Sequence, residues 1–166
     1  LGGSAPDAIR IADRKGRATG IPVYSLYGKF RTPTSAMLRD VDLGIYDIYD
    51  ICAKFYTYIS TLFLTMQACA RERIPILVLD RPNPITGDAV EGPVPHPVSM
   101  SFVGIAPICI RHGMTVGELA LMFNTELLSR GRTPGGFALN RGYPGAGVLH
   151  IGAGITLEFD CGAGVE

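Results

Sequence analysis

The chain is 166 residues long, 47% hydrophobic and 18% charged, with 15 basic and 15 acidic side chains and a formal net charge of zero. That length suits one compact domain, and the balanced charge offers no basic surface of the kind that releases counterions from a nucleic acid. The 21 glycines and 12 prolines exceed ordinary usage and call for many turns and long loops, which excludes a helix-only bundle.

The polar start to Gly20 gives way, from Ile21 to Tyr27, to a pattern carrying Val23, Leu26 and Tyr27 that predicts a strand ending at Gly28. No secretory signal is read at Leu1, which is followed by neither a basic segment nor an apolar core. Thr34 is placed to cap a short helix through Ala36, Met37, Leu38 and Val41. Leu43, Ile45, Tyr46 and Ile48 predict a short buried strand that stops at Asp50. Phe55, Tyr58, Ile59, Leu62, Phe63, Met66 and Ala70 then recur at helical spacing, with charge only at Arg71, Glu72 and Arg73, so a mostly buried helix is expected. Its apolar stretch from Ile59 to Met66 contains Ser60, Thr61 and Thr65 and falls far short of the roughly 20 residues of a membrane span.

Ile74 to Leu79 is an unbroken branched apolar run, the pattern of a parallel strand covered on both faces, and it stops at Asp80. A Pro-rich loop runs from Pro82 to Pro97, and Ile105 to Ile110 predicts another strand. Thr115 and Glu118 have capping-box spacing ahead of Leu119, Leu121, Met122, Phe123 and Leu127, which predicts a helix reaching Ser129. The Gly-rich stretch from Gly131 to Glu166 holds one strand pattern, Val148 to Ile151, with no packed role assigned. This alternation argues an α/β domain with a largely parallel, doubly wound sheet, incomplete in this chain.

Cys52, Cys69, Cys109 and Cys161 lack metal-type spacing, and Cys52 and Cys69 sit at opposite ends of the predicted helix, about 25 Å apart and beyond disulfide reach. Free buried thiols are expected, with no metal and no cofactor. Gly152, Ala153 and Gly154 mimic a dinucleotide fingerprint after a strand, but Leu157 replaces its third glycine. No P-loop, H-E-x-x-H or G-x-S-x-G motif occurs, which leaves a nucleotide-binding module without support.

Ligands of parallel α/β sheets bind at the carboxyl ends of the strands. That rule selects the turn Asp47, Ile48, Tyr49, Asp50, and the turn Asp80, Arg81, Pro82, Asn83, Pro84, where two prolines stiffen a carboxylate, a guanidinium and an amide. A lone strand-end Asp is commonly a brace, whereas a cluster on a stiff loop is a common site design. Glu91 lies in the turn Val90 to Pro93, which can present its carboxylate to the same cleft, although a solvated loop Glu is the commoner reading of such a position. Arg111 and His112 precede the last predicted helix, where His112 serves either a ligand or a local carbonyl. His96 and His150 are read as structural.

Four segments together carry a family resemblance: Pro22 to Gly28, Phe55 to Leu62, Val78 to Pro84, and Arg111 to Thr115 with Gly117, Glu118 and Leu119. Over roughly Thr19 to Asn124 the chain resembles the bacterial exo-β-N-acetylmuramidase family. The resemblance implies a Rossmann-like catalytic domain, with 1–130 as its portion here and 131–166 as a remnant of a smaller second domain. It implies a glycoside hydrolase that removes N-acetylmuramic acid from the non-reducing ends of peptidoglycan fragments, and export to the cell envelope in many members. Family members carry a Pro-Glu-His-Gly segment, upstream of the region where this sequence begins, whose Glu is the expected catalytic carboxylate, so the chain by itself is expected to show little turnover. Tyr49, Cys52 and Lys54 stand where the family favours Gln, Gly and Arg.

Glycoside hydrolysis requires two placed carboxyl groups. On this reading Asp80 and Asp50 line the cleft as catalytic residues, Arg81 or Arg111 pairs with the lactyl carboxylate, and Asn83, Tyr56, Glu91 and His112 meet the sugar. The partner is a peptidoglycan-derived saccharide. The competing expectation is a glycan-binding or scaffold protein that keeps the fold without catalysis.

Overall fold

A computed structural model describes residues 13–124 and the strand 148–151. The chain is an α/β fold built on a small parallel sheet. β1 (Arg14–Lys15) and β2 (Pro22–Val23) form a short, exposed antiparallel ribbon apart from that sheet. The strand expected across Ile21 to Tyr27 shrinks to two residues because side chains take over its hydrogen bonds. The Ser25 N–H donates to Asp13 Oδ1 at 2.8 Å, and Tyr27 reaches away through its hydroxyl to Thr57 and Thr61.

α1 (Ser35–Leu38) is capped by Thr34, whose Oγ1 accepts from the Met37 N–H. β3 (Gly44–Tyr46), β4 (Ile76–Leu79) and β5 (Val148–Ile151) make the parallel sheet in the order β3-β4-β5, with Tyr46 level with Val78 and Val78 level with His150. The backbone of β5 thus joins the sheet beside β4. The other features of the tail, including Cys161 and the mimic at Gly152, lie outside the described residues, as does the predicted helix beyond Asn124.

α2 (Tyr58–Glu72) connects β3 to β4, and α3 (Val116–Met122) follows β4. Both crossovers step the same way across the sheet, which sets both helices on one face. There Phe63 of α2 meets Phe123 edge-to-face at 5.2 Å, within a core shared by Leu62, Met66, Ile76, Val78 and Leu119. Residues on the other face are less covered. Leu77 and Leu79 are half-buried and Ile45, beside Leu77, is 61% exposed, so among the described residues the sheet is covered on one face, not on both as the apolar run at Ile74 to Leu79 predicts.

Two further expectations change. Phe55 does not open the helix: the Tyr56 N–H donates to the Ala53 carbonyl at 2.9 Å, closing a turn that leaves Phe55 exposed, and α2 starts at Tyr58. Ile105 to Ile110 is no strand, because Pro107 removes a ladder donor. Ala106 and Ile108 are nonetheless buried, so the apolar pattern there reports packing without pairing. Cys52 and Cys69 are buried and Cys109 half-buried, all three as free thiols.

α2 ends in a Schellman motif, with the Arg73 N–H on the Ala70 carbonyl and the Ile74 N–H on the Cys69 carbonyl. Arg73 takes a left-handed conformation there, φ 58°, that glycine adopts without Cβ crowding. Arg73→Gly is therefore expected to stabilise the chain by about 1 kcal/mol, read as a higher urea midpoint at unchanged slope.

Candidate functional site

β3 and β4 are parallel neighbours, so the turns that follow them leave the sheet at the same edge. The Asp47–Asp50 turn and the Asp80–Pro84 turn meet there. Arg81 Nη2 donates to Asp47 Oδ1 in an ion pair that ties one turn to the other, and the Arg81 guanidinium lies 5.9 Å from the centre of the Tyr49 ring.

Cys52 feels the charges of both carboxylates, Asp50 and Asp80. Burial, with their two charges, pushes its thiol up to about 12, so it stays protonated. Its backbone is left-handed, φ 58°, held by the Cys52 N–H donating to Asp50 Oδ1. That conformation is one that glycine adopts without Cβ crowding.

Asp50 is 4% exposed, and its second oxygen, Oδ2, has no hydrogen-bond partner among the described residues. Burial raises its carboxyl above the ordinary value, outweighing the Cys52 N–H. Tyr46 lies close by, its hydroxyl donating to the Tyr58 carbonyl at 2.8 Å; burial and the Asp50 charge keep it protonated.

Asp80 plays a different part. Its Oδ2 accepts from Thr115 Oγ1 at 2.8 Å and its Oδ1 from the Gly117 N–H at 2.7 Å, so both oxygens hold the start of α3. Thr115 and Glu118 close the capping box expected from their spacing.

His112 belongs to a strap that runs back along the Asp50 turn. Ala53 bridges Arg111, and the Lys54 N–H donates to the Ile110 carbonyl at 2.9 Å, which sets the Asp50–Cys52 backbone beside His112. His112 is 5% exposed, and burial lowers its pKa, so the ring is neutral. Nδ1 accepts from the Met114 N–H at 3.2 Å, which assigns the proton to Nε2, and Nε2 has no partner among the described residues. Gly113 makes the bend possible: its φ is +71° and a Cβ there would lie 3.0 Å from the Gly87 carbonyl oxygen.

The remaining expected residues act on this frame. Asn83 spans the loop and the strap, with Nδ2 donating to the Met114 carbonyl at 3.0 Å and Oδ1 accepting from the Ile85 N–H at 2.9 Å. Arg111 spends Nε and Nη2 on the Ile85 carbonyl and Nη1 on Glu91 Oε2, so Arg111 and Glu91 brace one another. Tyr56 stacks edge-on against Tyr58 at 5.9 Å on the exposed side of the rim. Asp47 is the rim residue whose role the sequence leaves unread; the one signal for it is an acid at a strand end facing an arginine at the next. No cluster of metal-ligating side chains occurs among the described residues, and no helix there is long and apolar enough to cross a membrane.

A family model described as the N-terminal part of the exo-β-N-acetylmuramidase NamZ matches residues 1–133. The peptidoglycan β-N-acetylmuramidase NamZ of Bacillus subtilis (strain 168) is 54% identical over 108 residues, 65% of this chain and 26% of that protein. A solved structure of a DUF1343 family protein from Bacteroides fragilis NCTC 9343 is 50% identical with a TM-score of 0.66, covering 68% of this chain and 29% of that one. A second DUF1343 protein from the same strain is 46% identical with a TM-score of 0.59, covering 65% of this chain and 29% of that one. The chain spans under a third of the length of these relatives.

Two measurements check the electrostatics. Asp80→Ala strips two charge-assisted hydrogen bonds from the start of α3 and is expected to cost about 1–3 kcal/mol in urea unfolding. Asp50 holds its proton more tightly folded than unfolded, so the stability it confers is complete below its unfolded value and is lost as pH rises through the folded one. Asp50→Asn keeps an oxygen for the Cys52 N–H and removes that loss, so its melting-temperature advantage over the parent grows from about pH 4 to about pH 7.

Proposed function

The chain belongs to the exo-β-N-acetylmuramidase N-terminal family, and on that premise we propose that it supplies the sugar-binding rim of a hydrolase that releases N-acetylmuramic acid from peptidoglycan fragments. One observation carries the reading: the two polar strand-end turns share a rim, joined by the Arg81–Asp47 ion pair, and the first of them ends in Asp50, whose Oδ2 has no partner among the described residues.

Asp50 is the proton donor. Its raised pKa keeps the acid form available, and Oδ2 is the oxygen left to protonate a leaving group. Asp80 works through Thr115 and Gly117 as a positioning residue, since both its oxygens hold α3. The second carboxyl group that glycoside hydrolysis needs is assigned by the family resemblance to the Glu of its Pro-Glu-His-Gly segment.

Arg81, rather than Arg111, pairs with the lactyl carboxylate. The donors of Arg111 are taken by Ile85 and Glu91, whereas Arg81 is 40% exposed and one Nη2 contact to Asp47 leaves a second edge of the guanidinium for a bidentate partner. Tyr56, Asn83 and Glu91 shape the surrounding rim. The parallel order β3-β4-β5 and the open face at Ile45 support a Rossmann-like, doubly wound parent sheet, with 1–130 as its catalytic-domain portion. The strand 148–151 pairs with β4 and keeps that part of the 131–166 segment with the same sheet.

Calorimetry with N-acetylmuramic acid and a turnover assay on its disaccharide with N-acetylglucosamine test the assignment together. The chain is expected to bind N-acetylmuramic acid, and Arg81→Ala to weaken that binding about 10–100-fold, the worth of a charge-assisted bidentate contact. Binding without turnover assigns the chain the recognition half of the reaction, as the glycan-binding reading holds. No binding at all overturns the saccharide assignment.

A further inference from the structure

Asp50 Oδ2 and His112 Nε2 are the buried side-chain polar atoms left without a partner among the described residues, and both belong to segments that flank Cys52. A buried polar group without a partner costs free energy unless a ligand or water satisfies it. Their chemistry restricts the ligand. His112 Nε2 carries a proton, because Nδ1 accepts from the Met114 N–H, so it requires an acceptor. The ring is neutral, which suits an uncharged oxygen rather than a carboxylate or phosphate.

The ring is also held still. Met114 grips Nδ1 through its N–H while its carbonyl receives Asn83 Nδ2, and Gly113 passes against the Gly87 carbonyl where no side chain fits. A donor fixed from both sides reads one acceptor position, which is the requirement for discrimination. The small, apolar Cys52 and Ala53, both buried, lie across the bridge from this strap.

We propose that His112 is the residue that selects an N-acetylated sugar, its Nε2–H donating to the carbonyl oxygen of the 2-acetamido group. The inference rests on the hydrolase reading above and deepens it. The glycosidic oxygen on C1 and the acetamido group on C2 are neighbours on the ring. A sugar whose C1 oxygen meets Asp50 therefore carries its amide carbonyl to the side, where His112 is fixed beside the Asp50 turn. An amide carbonyl is a stronger acceptor than an ether or hydroxyl oxygen, and its methyl suits the apolar neighbours.

The test compares the binding of N-acetylmuramic acid with that of 3-O-lactylglucose, which keeps the lactyl carboxylate and has a hydroxyl in place of the acetamido group. The parent chain is expected to prefer the first ligand about 10-fold, the worth of one buried hydrogen bond whose loss strands a donor. His112→Asn keeps an oxygen near the Nδ1 position for the Met114 N–H and lacks any group at Nε2, so it is expected to lose the preference. His112→Gln reaches the Nε2 position with an amide nitrogen and gives up the Met114 brace, so it is expected to keep most of the preference.

A residue that only supports the loop reverses that order, and such a result overturns the proposal. Equal loss, or no loss, in both variants overturns it too. Nitrogen NMR adds a direct readout: the His112 Nε2–H signal shifts with N-acetylmuramic acid and not with 3-O-lactylglucose. A parent chain that binds both ligands equally defeats the role of His112 and leaves the hydrolase reading intact. A chain that binds neither defeats both.

Discussion

Parallel pairing of β3 with β4 determines where every polar group of the rim sits. Two parallel neighbours release their chains at one edge, so the residues after Tyr46 and after Leu79 emerge side by side. The apolar half of the sheet enforces this alignment. Ile76 and Val78 are packed under α2 and α3, and slipping β4 by one residue would exchange them for Leu77 and Leu79. The core thus holds the register, and the register brings Arg81 to Asp47.

The rim spends some of the stability that the core provides. Asp50 and His112 are buried with one polar atom each unpartnered among the described residues, and Cys52 and Thr86 adopt left-handed backbones without being glycine. Costs of this kind, on the order of 1–3 kcal/mol each, persist where surrounding structure over-determines them. The bracing here is specific. Asp80 holds α3, Arg111 gathers Ile85 and Glu91, and Asn83 fastens the loop to the strap. The residues that brace and the residues left unsatisfied are intermixed along the same two turns, so a strand-end polar cluster does not divide into scaffold and free groups by position alone.

That mixture explains which features the sequence exposes. Caps at Thr34 and Thr115 are legible because donor and acceptor lie three residues apart, within one local turn. The strand ends at Asp50 and Asp80 are legible because an apolar run stops abruptly. The division of labour between Asp50 and Asp80, or between Arg81 and Arg111, is not. It depends on partners 20 to 37 positions away, such as Glu91 for Arg111 and Gly117 for Asp80, which no local pattern reveals. Ile105 to Ile110 misleads for a related reason: alternate burial resembles a strand, yet Pro107 prevents the pairing that defines one.

β3 is three residues long and, among the described residues, forms one margin of the sheet, with Ile45 turned to water. Such a margin invites a neighbouring molecule to add its own backbone. Here the strand is bracketed by Asp42 and Asp47, so a second copy laid alongside meets carboxylates at both ends and has few hydrogen bonds to gain between them. The same Asp47 that pairs with Arg81 across the rim thereby also discourages edge-to-edge stacking, so a single carboxylate joins two turns and guards a strand margin at once.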